Sequence, residues 1–239
     1  MDDKSKQHYM YARNPIKHIN DYKKIGEVSG SVTHELYKEK SVLPDFITNL
    51  LNAWLPEDKE YVIKKSGTVS VIKNFIAAYL CKQLLGFRIS EEGIIIGEKG
   101  ELLTKSTIIK DYQPILHLPI GDLTTVNGLE ELIAIRIAFG EIDAVPRNTG
   151  IITVANGEKY FVGIDHDGSL TFQSDANIPE SCFERFCLKD YGEDLLITEK
   201  FANTCENVSK LNIQHLHYHI EYAVDYVEKA LESSSLPAS

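Results

Sequence analysis

The adjacent pair Asn156 and Gly157 is the feature that most constrains how this chain can fold. It lies between two short segments rich in β-branched and aromatic residues. Asn-Gly is the strongest short-range signal for a β-hairpin, because both residues accept the positive φ angles that tight hairpin turns need. With these two as the central turn residues, the register places Asn148 opposite Asp165. The sequence therefore predicts a hairpin whose open end carries an amide and a carboxylate.

An amide oxygen beside a carboxylate makes a seat for a hard cation, since Mg²⁺ takes oxygen ligands and completes its shell with water and phosphate. Asp143 lies five residues before Asn148, which is the D-x-x-x-x-N spacing of a kinase catalytic loop. We predict that Asp143 is a general base and that Asn148 and Asp165 hold magnesium. The alternative is that Asp143 is a turn residue, Asn148 a cap and Asp165 a solvated strand end.

Such a site also requires a cation for the nucleotide phosphates. The segment YVIK, residues 61–64, follows the V-A-I-K pattern of the kinase lysine strand. Strand alternation puts Lys64 on the face opposite Tyr61 and Ile63, so we favour Lys64 over Lys65 as the phosphate contact. The alternative is a solvated lysine at a strand end.

A glycine-containing segment, GEVSGS at residues 26–31, lies upstream of that strand. We predict that it forms a turn between two strands. Backbone amides and flexible glycines suit phosphate contact, which makes Gly26, Gly30 and Ser31 candidate nucleotide-binding residues. The alternative is an ordinary turn.

The remaining pattern predicts a β-rich half followed by a helical half, an α+β fold. The first twenty residues are polar and read as a tail. Asn127 and Glu130 resemble a capping box for an apolar helix that Gly140 ends. Further elements are predicted from periodicity and turn signals: helices at 44–55, 69–86 and 209–232, strands at 60–65, 93–97 and 101–105, and a strand pair at 150–164.

Composition excludes several classes of function. The chain has 239 residues and a formal charge of -10, and an acidic surface disfavours binding to nucleic acid or to an anionic membrane. No apolar run approaches the roughly 20 residues that span a bilayer, so we predict a soluble protein. Its four cysteines fit neither a zinc pattern nor a disulfide framework and are predicted to be free thiols.

The chain resembles the HipA-like and phosphatidylinositol-kinase-like atypical kinases, including small effector kinases of intracellular bacteria. The motifs that carry the resemblance span roughly residues 25–170: YVIKK, ELLTKSTI, FGEIDAVPRNTGI and VGIDHDGSL. It implies a two-lobed kinase-like fold with a tail at 1–24, an N-lobe at 25–110 and a C-lobe at 111–239. It further implies ATP and Mg²⁺ as cofactors, with Lys64 on phosphate, Asp143 as base, and Asn148 and Asp165 on the metal.

The resemblance implies transfer of phosphate to a protein Ser or Thr hydroxyl, with a host-cell protein as substrate. A lipid head group and a small molecule stay open as acceptors. The C-terminal residues also resemble a type IV secretion signal, with an ordinary frayed tail as the alternative.

The chain departs from the kinase pattern at one position that matters for activity. Many kinases pair the lysine with an acidic residue on a helix, yet residues 65–90 contain no Asp or Glu. The alternatives for a partner of Lys64 are the neutral side chains of Asn74 or Gln83, the acidic residues Glu91 or Glu92 just beyond this segment, or no partner at all. A pseudokinase that binds a nucleotide or a partner without catalysis is therefore the competing prediction.

Overall fold

In a computed structural model of the protein, we describe residues 16–28, 33–40, 59–116, 118–141, 143–170, 198–211 and 213–234. They divide into two compact units. The first unit comprises described residues within 1–71, 92–108 and 222–239, and the second those within 72–91 and 109–221. The first is built on a β-sheet and the second is mainly helical, which confirms the α+β fold class. No helix among the described residues is both long and apolar enough to cross a bilayer.

The first unit is organised by a six-stranded sheet in the order β1-β5-β6-β4-β3-β2. The strands are β1 (Lys17–His18), β2 (Tyr22–Val28), β3 (His34–Glu39), β4 (Glu60–Lys64), β5 (Glu92–Ile96) and β6 (Leu102–Thr107). All neighbours are antiparallel except β1 and β5, which are parallel. The segment predicted to be a tail, 1–24, thus contributes Lys17, His18 and residues 22–24 to the sheet, with a 3-10 turn at Ile19–Asp21 between them.

The interior of this unit is an apolar and aromatic cluster of Tyr22, Tyr61, Ile63, Ile95 and Leu103. Burial alternates along β4: Tyr61 and Ile63 face this cluster, while Glu60, Val62 and Lys64 are half-buried. This confirms the strand phase inferred from the sequence. Burying these side chains contributes on the order of 2 kcal/mol each.

Gly26 does not lie in a turn, as the sequence suggested. It is inside β2, paired with Leu36 of β3 after a bulge between Lys24 and Gly26. The predicted strand pair around the glycine segment is confirmed, but its connection lies outside the described residues, and so do Gly30 and Ser31. The predicted helix at 44–55 also falls outside them.

The second unit contains a three-stranded sheet, β7 (Gln113–Pro114), β8 (Thr149–Thr153) and β9 (Lys159–Gly163), in that order. Its helices are the greater part of α1 (Thr68–Leu85), then α2 (Ile120–Leu123), α3 (Leu129–Ala138), α4 (Glu199–Ser209) and the first part of α5 (Ile213–Ser233). Helix α3 is central, and its Leu132 and Ile133 are fully buried. The helices at 69–86 and 209–232 are confirmed to within a few residues.

The predicted capping box at α3 is wrong. The N-cap is Gly128, with a φ of 85°, and it makes no side-chain cap. Asn127 is instead bound through its backbone to β9, since its N–H donates to Lys159 O (2.9 Å) and its carbonyl accepts from Phe161 N (2.9 Å). A residue held in a strand bridge cannot also cap the helix that follows.

The β8–β9 hairpin forms, but its register differs by one residue from the prediction. Val154 N donates to Glu158 O (2.9 Å) and Gly157 N to Val154 O (2.8 Å), so three residues form the turn rather than two. Gly157 is left-handed, with a φ of 85°. A left-handed glycine in third position is the other common way to close a hairpin. Asn148 therefore lies opposite Ile164, not Asp165.

Candidate active site

Asp143 and Asn148 are brought together by the loop that precedes β8. A 3-10 turn at Pro146–Asn148 reverses the chain, with proline near its start where a missing N–H costs nothing. Asn148 Nδ2 then donates to the backbone carbonyl of Asp143 (3.0 Å) and to its Oδ2 (2.9 Å). The side chains of Asp143 and Asn148, which are five residues apart, are thus hydrogen-bonded to each other.

Asp165 follows β9 and is held beside this loop by a buried guanidinium. Arg136 of α3 is fully buried, and its Nη1 donates to the carbonyl of Asn148 (3.1 Å). Its Nη2 donates to the carbonyls of Ile164 (3.3 Å) and Asp165 (3.2 Å). One side chain therefore fixes the backbone of both predicted metal ligands. We refer to this arrangement as the Arg136 clamp.

Asp165 adopts a left-handed backbone with a φ of 57°. Among residues with a Cβ, Asp and Asn accept this conformation most readily. Asp111 and Leu170 are also left-handed, with φ angles of 58° and 54°, so the conformation does not single out Asp165, and its role stays a prediction.

A buried polar network around Glu141 lies beneath the loop from Asp143 to Asn148. The carboxylate of Glu141 is fully buried, and its Oε1 accepts from the backbone N–H of Asp143 (3.0 Å). Its Oε2 accepts from the Ser169 hydroxyl and lies 3.6 Å from Nη2 of Arg136. Glu141 thereby connects the start of the loop from Asp143 to Asn148 with Ser169, in the segment that follows Asp165.

The electrostatics of this network favour an ionised Glu141. Burial alone would raise the pKa of the carboxyl, but the facing His166 imidazole, the Arg136 charge and the Ser169 hydroxyl together lower it to about 2. The neighbouring His166 is also fully buried, and burial followed by the Arg136 charge lowers the pKa of its imidazole. The ring is therefore uncharged at neutral pH.

His166 is anchored by its backbone to α1. Its N–H donates to Oδ1 of Asn74 (3.0 Å), and Asn74 is itself buried. Asn74 was one candidate partner for Lys64, and in this structure its amide oxygen supports the Asp165 segment. Glu92, another candidate, accepts a hydrogen bond from the Ser106 hydroxyl.

The loop from Asp143 to Asn148 carries an exposed cation, Arg147. Nη2 of Arg147 donates to Oδ1 (2.8 Å) and Oδ2 (2.9 Å) of Asp143. The hydrogen bond to Asp143 and its charge raise the pKa of Arg147, and the charges of Asp165 and Asp167 raise it further. Asp143 thus pairs with this guanidinium directly, and the charges of Asp165 and Asp167 act on it without a direct contact being needed.

The predicted nucleotide-binding residues that the structure describes lie in the first unit. Lys64 ends β4, paired with Thr104 of β6, on the face opposite Tyr61 and Ile63. Lys65 is 73% exposed and lies 3.5 Å from Glu101. The assignment of phosphate contact to Lys64 and Gly26 stays a prediction.

The donor set at Asn148 and Asp165 fits magnesium by its chemistry. Both side chains offer hard oxygen donors, and the Arg136 clamp holds their backbones side by side. Across the described part of the chain, no group of three or more His, Cys, Asp and Glu side chains is arranged to hold a metal. Magnesium commonly uses only one or two protein carboxylates together with phosphates and water, so a larger cluster is not required.

Sequence reasoning missed three residues of this site: Arg136, Glu141 and Arg147. Arg136 was read only as part of an apolar helix, although a lone charge among apolar residues at helical spacing signals a buried, paired group. Glu141 stands in the motif FGEIDAVPRNTGI, but no local pattern marks it as a buried carboxylate. Arg147 has no comparable signal, since an exposed arginine beside an aspartate is common on any surface.

Comparison with solved structures finds a kinase among the proteins that are similar to this chain. The Helicobacter pylori proinflammatory kinase CtkA is similar at 13% sequence identity with a TM-score of 0.41, and the similarity covers 92% of this chain and 96% of that one. The sequence matches no family model and no curated protein.

Proposed function

We propose that this chain is an atypical, HipA-like kinase that transfers the terminal phosphoryl group of ATP to a protein Ser or Thr hydroxyl. The observation that carries the proposal is the closed loop between Asp143 and Asn148, with the backbone of Asp165 clamped beside it by Arg136. A base, a neutral oxygen ligand and an acidic ligand at one place are the parts that phosphoryl transfer needs.

In this proposal Asp143 accepts the proton of the acceptor hydroxyl. As the hydroxyl oxygen bonds to the γ-phosphorus, the bond from that phosphorus to the bridging oxygen breaks and ADP leaves. Asn148 and Asp165 would hold magnesium, which when bound supplies positive charge to the phosphates. Lys64 is proposed as the protein's own phosphate contact, with Gly26, Gly30 and Ser31 near the nucleotide.

The acceptor proposed here is a protein of a host cell, reached after type IV secretion. The net charge of -10 weighs against a phosphoinositide, because inositol phospholipids call for a basic docking surface. The resemblance supports the host-cell protein and the secretion route, and the net charge supports a protein over a phosphoinositide as the acceptor.

A pseudokinase is the second candidate, and two observations favour it. Residues 65–90 offer no acidic partner for Lys64. In addition, both oxygens of the Asp143 carboxylate accept a hydrogen bond from Arg147, so the proposed base is engaged. Such a protein would bind nucleotide and transfer nothing.

Incubation with radiolabelled ATP and Mg²⁺ separates the two candidates. We expect the wild-type chain to label itself or a protein in a host-cell extract, and Asp143→Asn to label neither while still binding ATP. The amide keeps the shape of the carboxylate but cannot take a proton. Binding without labelling by wild type in any protein or lipid mixture would favour the pseudokinase, and equal labelling by both chains would show that Asp143 is not the base.

A further inference from the structure

The side chain of Arg147 is hydrogen-bonded to Asp143, the group proposed as the base. Its Nη2 donates to Oδ1 (2.8 Å) and Oδ2 (2.9 Å) of Asp143, and Asn148 Nδ2 donates to the same Oδ2 (2.9 Å). The carboxylate therefore accepts three hydrogen bonds from its own loop. An acceptor hydroxyl has to reach one of these oxygens to pass on its proton, so Arg147 has to move before Asp143 can act.

Arg147 is positioned to move. Its side chain is 54% exposed, against 25% for that of Asp143. An exposed ion pair of this kind contributes at most about 1 kcal/mol, so exchanging one anion for another costs little. The charges of Asp165 and Asp167 also act on Arg147. The guanidinium is thus an exposed, permanently charged cation that feels the charge of the carboxylate proposed to bind the metal.

We propose that Arg147 leaves Asp143 and binds the terminal phosphate of ATP when the magnesium-bound nucleotide enters the site. This inference rests on the proposed kinase function and adds a specific ligand to it. The guanidinium exchanges one planar anion for another, and its fork of N–H donors matches phosphate oxygens as well as it matches a carboxylate. The same movement exposes the oxygens of Asp143, so substrate binding and release of the base are one event.

The test compares ATP with ADP, because ADP lacks the phosphate that Arg147 would contact. We expect Arg147→Met to weaken ATP binding about 10- to 100-fold, the loss of one charge-assisted hydrogen-bonded contact, while ADP binding changes less than about threefold. Titration calorimetry with Mg²⁺ measures both affinities without requiring turnover. Methionine keeps the unbranched stem and removes the charge.

Lys200→Met is the matched control. Lys200 is a cation of the same unit, 63% exposed and paired with Glu130 at 3.1 Å, so it loses a comparable surface ion pair. We expect it to bind ATP and ADP as wild type does. Circular dichroism checks that each variant is folded. Arg147→Lys is the second variant, and we expect an ATP affinity between those of wild type and Arg147→Met with ADP unchanged.

The possible results separate this inference from the function on which it rests. Equal weakening of ATP and ADP by Arg147→Met, or no weakening of either, overturns the role of Arg147 while the kinase proposal stands. Wild type that binds neither nucleotide overturns both. Selective loss of ATP affinity at Arg147, with Lys200→Met unchanged, supports the exchange.

Discussion

Replacing Glu141 with glutamine tests how much the buried charge beneath the loop from Asp143 to Asn148 contributes to the stability of the fold. Glutamine keeps the shape of the side chain and one oxygen that can accept from Asp143 N–H, while its amide group can donate to the oxygen of the Ser169 hydroxyl. It removes the negative charge that lies 3.6 Å from Arg136, where both side chains are fully buried. The variant therefore isolates the charge of Glu141 from its packing.

The expected magnitude follows from the pKa of the carboxyl. It is lowered from an ordinary value of 4.5 to about 2, and at about 1.4 kcal/mol per pH unit this corresponds to about 3 kcal/mol of stability at pH 7. His166 is uncharged at neutral pH, so its share is smaller, and we expect a loss of about 2 to 3 kcal/mol in Glu141→Gln. Because the pKa is lowered on folding, this stability is present above pH 4.5 and is lost as the pH falls towards 2.

Urea unfolding followed by circular dichroism at pH 7, 5, 4 and 3 measures the difference between wild type and Glu141→Gln. We expect the difference to be largest at pH 7 and to have lost about half of its value at pH 3, because the carboxyl of the unfolded chain takes up a proton there while that of the folded chain stays ionised. Glu206→Gln is the control, since Glu206 is an exposed residue of α4 whose ion pair with Lys210 contributes at most about 1 kcal/mol. A difference at Glu141 that does not change with pH would refute the reasoning.

Two further predictions concern the nucleotide. Asp165→Asn, which keeps a residue suited to the left-handed backbone, should abolish Mg²⁺-dependent ATP binding in a thermal-shift assay, whereas Asn148→Ala should weaken it less because a neutral amide contributes less charge to the cation. Unchanged affinity in Asp165→Asn would remove it from the metal site. Lys64→Ala should reduce turnover far more than Lys65→Ala, because Lys64 lies in β4 on the face opposite Tyr61 and Ile63, whereas Lys65 follows the strand and is 73% exposed. If Lys65 is the sensitive residue, the phosphate contact is misassigned by one position.

Features that depend on local periodicity could be predicted from the sequence. Helix α1 was placed within a residue of its bounds, because its apolar spacing is regular and Gly86, with a φ of 61°, ends it. The phase of β4 was also predicted, since Tyr61 and Ile63 alternate with half-buried residues. Such features involve only neighbours in the chain.

Features that depend on tertiary contacts could not. The register of the β8–β9 hairpin was off by one, because Asn156 and Gly157 fit a three-residue turn as well as a two-residue one. Even so, Asn148 and Asp165 lie side by side, through a guanidinium from a distant helix rather than through strand pairing. The roles of Arg136 and Glu141 depend on which charges are buried together, and no local pattern states this.

The Arg136 clamp also determines how the site comes into being during folding. Its three carbonyl acceptors lie immediately before β8 and immediately after β9, and its donor lies in α3. No hydrogen bond of the clamp can therefore form until helix and hairpin have docked. A docked structure without the clamp would bury the guanidinium without its three carbonyl acceptors, which costs several kcal/mol. Loop, hairpin and helix should therefore protect their amides from hydrogen exchange as one cooperative unit, with a common opening free energy.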